Sequence, residues 1–517
     1  MNLLYDPIIG VETDAGREDV DLPRLMALLG AGRIDAYTGQ RPHQADAWHV
    51  FTVQLAVSVL ARQPTSSIGA PPADPGFWRE GLLSLAGGDP HAWALVVDDV
   101  RRPAFFQHPL KDEEELEKVF KPEEPKARTP DELDVLVTAK DHDVKASRLP
   151  DDDLESWMYA LVTYQTISGY LGSGNYGIVR MKGNEGSRPI VALVRSVHPS
   201  QRFREEVAVV GAMRESLLGP PFGYRDDGVV LTWCGSWDRV GHQYHLTDLD
   251  PFFIEAPRAV RLVRRGRGAV ALGATTKARQ IGPKSLENGD VGDPWIPVQT
   301  DNKKKGRAAL SVSGSGWTPE LVCRLLFEEG YELTPLQRPR PAAGALWFVA
   351  SVLVRGQGTT EGFHRFLLPV PPEAQRRLLV KAERDRLSIF ARELQKDARD
   401  VEKALAAAMT ALIEGGPEKV DFGREAVKAW VSDRRKVFRS SWPDWFFPVL
   451  WKGVESGEEQ AREDWVERLT GLAVRSLRDA AQVLPMRKAR GYWSKACADG
   501  IFWGTLNKKG LTIREVL

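Results

Sequence analysis

The sequence predicts an α+β protein: a large mixed α/β N-terminal domain with β-rich and loop-rich parts, followed by a C-terminal four-helix bundle. Three observations carry this. The chain has 517 residues, enough for about two to four domains. Up to about residue 370, short apolar runs alternate with glycine, proline and other turn residues. Beyond Pro371-Pro372 the texture becomes a series of long helical patterns with few breakers. The domains are therefore expected at 1–370 and 373–517.

From the N-terminus, Asn2-Leu-Leu-Tyr-Asp-Pro-Ile-Ile-Gly reads as an opening strand punctuated by Pro7 and Gly10. Residues 22–29 read as a short helix. Residues 44–62 (QADAWHVFTVQLAVSVLAR) place apolar residues at helical spacing and predict a helix. A further helix is expected over 76–85. Residues 111–155 carry 8 Lys/Arg against 16 Asp/Glu, a local net of −8, and read as a solvated, loop-rich stretch with a short charged helix. The segment 151–166 (DDDLESWMYALVTYQT) predicts a helix whose leading acids suit the positive N-terminal end of the helix dipole. It runs into a glycine-rich segment, 168–177 (SGYLGSGNYG).

Residues 190–194 and 229–233 read as strands. The stretch 255–310 holds 12 Lys/Arg against 5 Asp/Glu, a local net of +7, with strand-like runs at 259–263, 269–272 and 293–297. Residues 345–354 are apolar throughout except Ser351 and form a buried strand or helix; length does not decide between them. Helices are expected at 373–414, 424–440, 458–484 and 487–506, joined by short polar loops as in an antiparallel bundle. Seven tryptophans fall in this part, Trp430, Trp442, Trp445, Trp451, Trp465, Trp493 and Trp503, and a core role is the expectation for each.

Composition excludes several classes. Lys plus Arg and Asp plus Glu are 70 each, so the formal net charge is zero. This is neither a histone-like cation nor an acidic tail protein, although a sum conceals local patches. Cys234, Cys323 and Cys497 are scattered, giving no CxxC, no zinc pattern and no disulfide framework, which fits a reducing cytoplasm. No apolar run approaches the about 20 residues of a membrane span, and the N-terminus has no basic region or cleavage site.

Enzyme motifs are missing: there is no GxxxxGK[ST], GxSxG or HExxH. His242 and His245 lack companion ligands. The dipeptide His142-Asp143 hints at a metal-dependent hydrolase, but no further ligand set follows it. Asp151-Asp152-Asp153 cannot converge on one ion from a helix start, so capping is the better reading. Gly169, Gly172, Gly174 and Gly177 relieve steric limits on the backbone, so the loop can approach a ligand or serve simply as a turn. It follows a helix rather than a strand, so it fails the context test for a dinucleotide-binding loop. The basic residues Arg258, Arg261, Arg264, Arg265, Arg267, Lys277, Arg279, Lys303, Lys304, Lys305 and Arg307 offer either a phosphate-binding face or solvated hairpins. Arg355-Gly-Gln-Gly-Thr-Thr is a tight turn that could also insert a glutamine between base pairs.

Several segments together resemble one family. The opening MNLLYDPIIGV, the Phe105-Phe106-Gln107 segment, the loop, helix and glycine turn of 129–177, the glutamine turn and strand of 355–371 (RGQGTTEGFHRFLLPVP) and the helical C-terminus resemble the CasA family, the large subunit of type I-E CRISPR Cascade complexes. The resemblance spans most of the chain in order, through short and loose motifs. It implies a non-catalytic subunit with no cofactor and no metal, which works in the cytoplasm. Its implied partners are double-stranded target DNA, the guide-RNA-containing Cascade subunits (backbone, small helical subunits and the subunit at the guide's 5′ end) and a helicase-nuclease recruited after target binding. The resemblance further implies that the subunit reads the protospacer-adjacent motif largely from the minor groove and wedges the duplex open to begin an R-loop.

Carried onto this chain, the implied long loop is 139–149, with Lys140, His142, Val144 and Lys145. The implied glycine loop is 169–174, with Gly169, Gly172, Gly174 and neighbouring Asn175. The implied wedge is Gln357, with Thr359 beside it. Lys277 and Arg279 are the candidates for a minor-groove cation. The chain departs from the family in lacking a middle-domain cysteine cluster and in flanking its glutamine with Gly356 and Gly358. The competing readings are a metal-dependent nuclease using His142, Asp143 and nearby acids, and a scaffold that binds only protein.

Overall fold

The computed structural model describes residues 1–63, 70–134, 150–169, 172, 174–182, 187–282, 288–301, 306–341, 344–355, 360–416, 423–484 and 488–511. The chain divides into two units. The first comprises Met1–Trp317 and Gly330–Pro369, and the second Thr318–Glu329 and Val370–Leu517.

The first unit is built around helix Pro42–Ala61, which is buried on every face rather than along one stripe. Helices Leu154–Thr166 and Pro199–Ala212 and strand Leu249–Ile254 pack on it. Its sheets are small: among the described residues none exceeds three strands. One sheet orders Gly16–Val20, Ile9–Thr13 and Ile34–Tyr37, and another orders Thr360–Val370, Leu346–Arg355 and Ile190–Val194. The apolar run near 345–354 is thus a strand. Its Trp347 to Ser351 pair antiparallel with Val194 to Ile190.

Narrow sheets leave much buried backbone without a ladder partner, and buried side chains supply the missing bonds. Gln54 donates to the carbonyls of Phe252 (3.2 Å) and Phe253 (2.9 Å). Gln107 donates to Leu95 and accepts from the amide of Leu262, at 2.8 and 2.6 Å. Gln165 donates to the carbonyls of Phe106 and Arg258, at 3.1 and 3.0 Å. Phe106, just before Gln107, takes a positive φ of 58°. This left-handed conformation costs a side chain about 1–2 kcal/mol. The cost is offset by burial and by stacking on Trp233, with ring centroids 4.4 Å apart.

Two buried ion networks tie distant segments together. Arg202 bridges Asp46 (2.5 Å) and Glu206 (2.7 Å), and Glu206 also accepts from Trp295 Nε1 at 2.6 Å. Burial opposes the charge on Glu206, but the Arg202 guanidinium, with His49, holds its carboxyl well below the usual carboxylate range. Arg180 pairs with Glu255 (2.9 Å) and Asp293 (2.7 Å), and Arg188 meets the same Asp293 at 2.6 Å.

Among the described residues, the second unit contains four long helices, Lys381–Glu414, Lys436–Ser456, Glu458–Gln482 and Lys488–Lys508. Lys381–Glu414 packs against the other three. Its Leu387, Leu394, Val401, Leu405 and Leu412 are wholly buried. Trp465 donates to the Leu394 carbonyl at 2.9 Å and packs its ring on Trp442 and Phe446. Gly453 allows close helix packing, because a Cβ there would lie 2.4 Å from the Phe390 ring. Arg384 and Glu328 bring helix Pro319–Leu326 and its following turn into this unit, at 2.8 Å.

Several expected elements differ. The opening strand begins at Ile9, not Asn2; the first residues form turns, and Asn2 bridges Ala94. Residues 293–297 form a turn, not a strand, capped by Asp293 and fixed by buried Trp295. The helix expected over 373–414 breaks at Val380, which is extended at φ −102° and ψ 117°, a conformation that suits a β-branched residue. The helix expected to stop at residue 440 is two helices, and the second, Lys436–Ser456, runs through Pro443 and Pro448. Phe438, Trp442, Phe446 and Leu450, spaced four apart and buried, hold it in place against the two missing amides. Trp465 is wholly buried, whereas Trp493 is 59% exposed and is not a core residue.

Replacing Gln107 by Leu leaves the Leu95 carbonyl and the Leu262 amide buried without a partner. The expected loss is about 1–3 kcal/mol, read as a lower first melting transition in calorimetry of the full chain.

Candidate nucleic-acid interface

The long loop expected at 139–149 falls within 135–149, so Lys140, His142, Val144 and Lys145 lie outside the described residues. Gln357 and Thr359 do so as well. The structure does describe the segments that flank them. Before the loop, Asp134 is buried and accepts from His43 Nε2 (2.7 Å) and Gln44 Nε2 (2.8 Å) at the start of helix Pro42–Ala61. Arg41 pairs with buried Asp131 at 2.5 Å. After the loop, the Asp151 carbonyl accepts from the Ala269 amide and from Trp157 Nε1, both at 3.0 Å. Asp153 then caps helix Leu154–Thr166 by accepting from the Ser156 amide at 3.0 Å. The capping role expected of the acid run falls to this residue. A cleft of about 480 Å³ opens between these two flanks and the hairpin of Val260–Arg265 and Gly268–Gly273, lined by Arg128, Glu132, Asp151 and Arg265 among others.

The flank after the loop carries a displaced carboxyl group. Glu155 accepts from the Gly10 amide at 2.9 Å and sits against Gly39, where a Cβ would come within 2.0 Å of its Oε2. Burial, joined by the charges of Asp153 and Asp19, pushes its carboxyl up to about 7.

The glycine turn is seated from below by a buried guanidinium. Arg258 donates to the carbonyls of Tyr164, Ser168 (2.9 Å) and Gly169, and lies over the Tyr164 ring at 4.8 Å. Gly172 and Gly174 take φ values of 112° and 80°, which favour glycine. The Gly172 carbonyl accepts from the Asn175 amide at 3.0 Å. The Gly174 carbonyl accepts from the amide (2.8 Å) and hydroxyl (3.2 Å) of Thr276. A Cβ at Gly174 would come within 2.8 Å of Thr275. The turn is therefore docked against 275–277, and Lys277 is exposed immediately beyond it. Arg279 lies two residues further on, where its carbonyl accepts from His242 Nδ1 at 2.9 Å.

So the structure packs the buried Gly174, next to half-buried Gly172 and Asn175, against the segment that carries exposed Lys277, while Gly169 is buried at the start of the turn. It does not make a single basic face of 255–310. Arg258 and Arg261 point inward, and Arg261 donates to the carbonyls of Arg102, Val97 and Asp99. Burial draws the Arg261 guanidinium down to about 10. Arg307 is paired with Asp290 and Glu332, while Arg264, Arg265 and Arg267 are exposed at the hairpin end. Lys303, Lys304 and Lys305 lie outside the described residues.

One neighbour of the turn is not visible in the sequence. Lys126 Nζ donates to Tyr164 Oη at 2.6 Å and to Asn175 Oδ1 at 3.2 Å. It sits in the acidic stretch 111–155, where composition points away from anion binding. Among the described residues, no group of three or more His, Cys, Asp or Glu side chains could hold a metal ion, and no helix is long and apolar enough to cross a membrane.

No protein-family model and no curated protein sequence matches the chain. Solved structures do. The chain superposes over 98% of its length on 98% of the CRISPR-associated protein Cse1 from Acidimicrobium ferrooxidans, with a TM-score of 0.64 at 17% identity. The CasA protein of Thermus thermophilus matches over 98% of this chain and 99% of its own, with a TM-score of 0.60 at 15% identity. A chain of a CRISPR RNA-guided surveillance complex matches over 97% and 99%, with a TM-score of 0.60 at 13% identity. The fold is that of a CRISPR-associated surveillance-complex protein. More closely, it is the Cse1/CasA fold, from the first strand through the helical C-terminus. The family that the sequence motifs resemble is thus the one whose fold the chain has.

The raised Glu155 carboxyl predicts a pH effect. The group favours the protonated form in the fold, so its contribution is complete below the ordinary carboxyl value of 4.5 and is lost as pH rises through about 7. Glu155→Gln is expected to flatten this fall, giving a higher melting temperature than wild type above pH 7 and little difference at pH 5. Melting scans of both proteins across this range check it.

Proposed function

We propose that the chain is the non-catalytic large subunit of a type I-E Cascade complex. In this reading it recognises the protospacer-adjacent motif in double-stranded DNA, opens the duplex beside it and helps recruit a helicase-nuclease. The observation that carries the reading is the Cse1/CasA fold over 98% of the chain. Docking of the glycine turn against 275–277 adds support, because it places backbone that can approach a ligand closely beside an exposed cation.

The division of labour follows from the physics of guided recognition. Base pairing with the guide reads the long sequence, and the protein reads only a short flanking motif and holds the strands. Minor-groove edges carry a degenerate pattern, so a close-fitting backbone and a few polar groups suffice there. Gly172, Gly174, Asn175 and Lys277 supply that surface in this reading, together with Lys140, His142, Val144 and Lys145 from the long loop and Arg279 as the second cation candidate. Gln357, with Thr359 beside it, enters the stack as the wedge; its methylenes fill the gap while its amide bonds to base edges. Unstacking costs a few kcal/mol per step, which the new contacts must offset. The DNA-reading loops belong to residues 1–370, and the bundle of 373–517 contacts the displaced strand. The partners are the guide-bearing subunits of the complex, and the place of work is the cytoplasm.

The test uses the complex assembled with a guide and two target duplexes, with and without the flanking motif. Gln357→Ala and Lys145→Ala are each expected to weaken motif-dependent binding about tenfold or more, equivalent to about 1.4 kcal/mol or more, with unchanged circular dichroism. Wild-type binding by both variants at physiological salt would overturn their assignment. Cleavage of plain DNA by the purified chain with Mg²⁺ or Mn²⁺ would overturn the non-catalytic reading.

A further inference from the structure

We propose that Lys126 is a phosphate-binding residue, which holds a phosphodiester of the nucleic-acid backbone beside Asn175. This rests on the nucleic-acid reading above and deepens it by naming a contact that sequence does not reveal. An ammonium group has three N–H donors. Two of those on Lys126 are engaged by neutral acceptors, Tyr164 Oη at 2.6 Å and Asn175 Oδ1 at 3.2 Å. The ammonium also stands 5.1 Å from the Tyr164 ring centroid. Among the described residues no carboxylate pairs with it, in contrast to Arg239, held by Glu115, and Arg307, held by Asp290 and Glu332. The third proton and the uncompensated charge face the outside, since Lys126 is an exposed residue.

The lysine is built in rather than loose. Ala127, its neighbour, exchanges backbone hydrogen bonds with Ala271 at 3.0 and 2.8 Å, which fixes Lys126 alongside strand Gly268–Gly273. Its stem then crosses Gly273 so closely that a Cβ there would lie 2.4 Å from Lys126 Cδ and 3.2 Å from its Cβ. A pre-positioned ammonium loses little side-chain entropy on binding, unlike a free surface lysine. Its bond to Asn175 places it next to Gly174, whose carbonyl accepts from Thr276. A phosphate beside Asn175 would meet this pre-positioned, exposed ammonium.

The test measures binding as a function of salt for wild type, Lys126→Met and Lys126→Arg. One arm uses the full chain alone with a duplex that lacks the flanking motif; the other uses the guide-loaded complex with the flanked target. In the first arm, Lys126→Met is expected to reduce the slope of log affinity against log salt by about 1, with Lys126→Arg retaining it. In the second, Lys126→Met is expected to weaken flanked and unflanked targets by the same factor, leaving motif preference as in wild type. A Lys126→Met slope equal to wild type in the first arm, or no binding by wild type there, overturns the role of Lys126. Loss of motif dependence in the wild-type complex instead overturns the proposed function, while the first arm still decides Lys126.

Discussion

The first unit depends on one constraint: a polypeptide buried in narrow sheets must find hydrogen-bond partners for backbone that no neighbouring strand can serve. An unpaired buried amide or carbonyl costs about 1–3 kcal/mol, and a few of these would exhaust the stability of an ordinary domain. Here long polar side chains enter the interior and act as detached pieces of a strand edge. Gln54 stands in for a partner of Leu249–Ile254, Gln107 joins 95, 105 and 262, and Gln165 joins 106 to 258. Arg180 reaches the Phe253 carbonyl at 2.8 Å and Arg261 those of 97, 99 and 102. Each such side chain fixes two or three segments at once, so the fold tolerates irregular backbone without giving up definition.

The surface proposed to meet DNA inherits this arrangement. Arg258 holds three carbonyls at the end of helix Leu154–Thr166 and so fixes where the glycine turn begins; Thr276 fixes where it ends. The flanks of 135–149 are held in a similar manner, by His43 and Gln44 on one side and by Ala269 on the other. Loops that carry recognition are precise only when their ends rest on a rigid frame. The ends here rest on the central helix and on one hairpin, both parts of the buried frame.

Much of this is legible in the sequence, for reasons that differ by element. Helix 42–61 declares itself through an apolar periodicity that survives burial on all faces, and helix 154–166 through its acids and Asp153 cap. Apolarity alone cannot separate a buried strand from a buried helix at 346–355; pairing with 190–194 decides it. The helix through Pro443 and Pro448 escapes a reading that weighs local breakers above a buried aromatic row. Asn175 and Lys277 read as neighbours only through a family likeness, and their adjacency comes from long-range bonds to Gly174. Lys126 gives no signal at all, because its meaning lies in Gly273, Tyr164 and Asn175, each distant in sequence. The basic stretch misleads in the other direction: counting Arg258 and Arg261 as surface charge ignores that carbonyls can draw a guanidinium inward.

The prolines of helix Lys436–Ser456 have a mechanical consequence. Each removes one rung from the ladder that gives a helix its stiffness, leaving the carbonyls four residues earlier, at Arg439 and Asp444, without an amide from the following turn. The two interruptions are five residues apart, and their directions of easiest bending differ by more than a quarter turn. A rod weakened at one point hinges in a plane; one weakened at two points in different directions can also coil. Helix Lys381–Glu414, beside it, contains no proline and acts as the stiff member of the pair. Stiffness in the bundle is thus uneven, with two rungs missing from the very helix that the buried aromatic row braces.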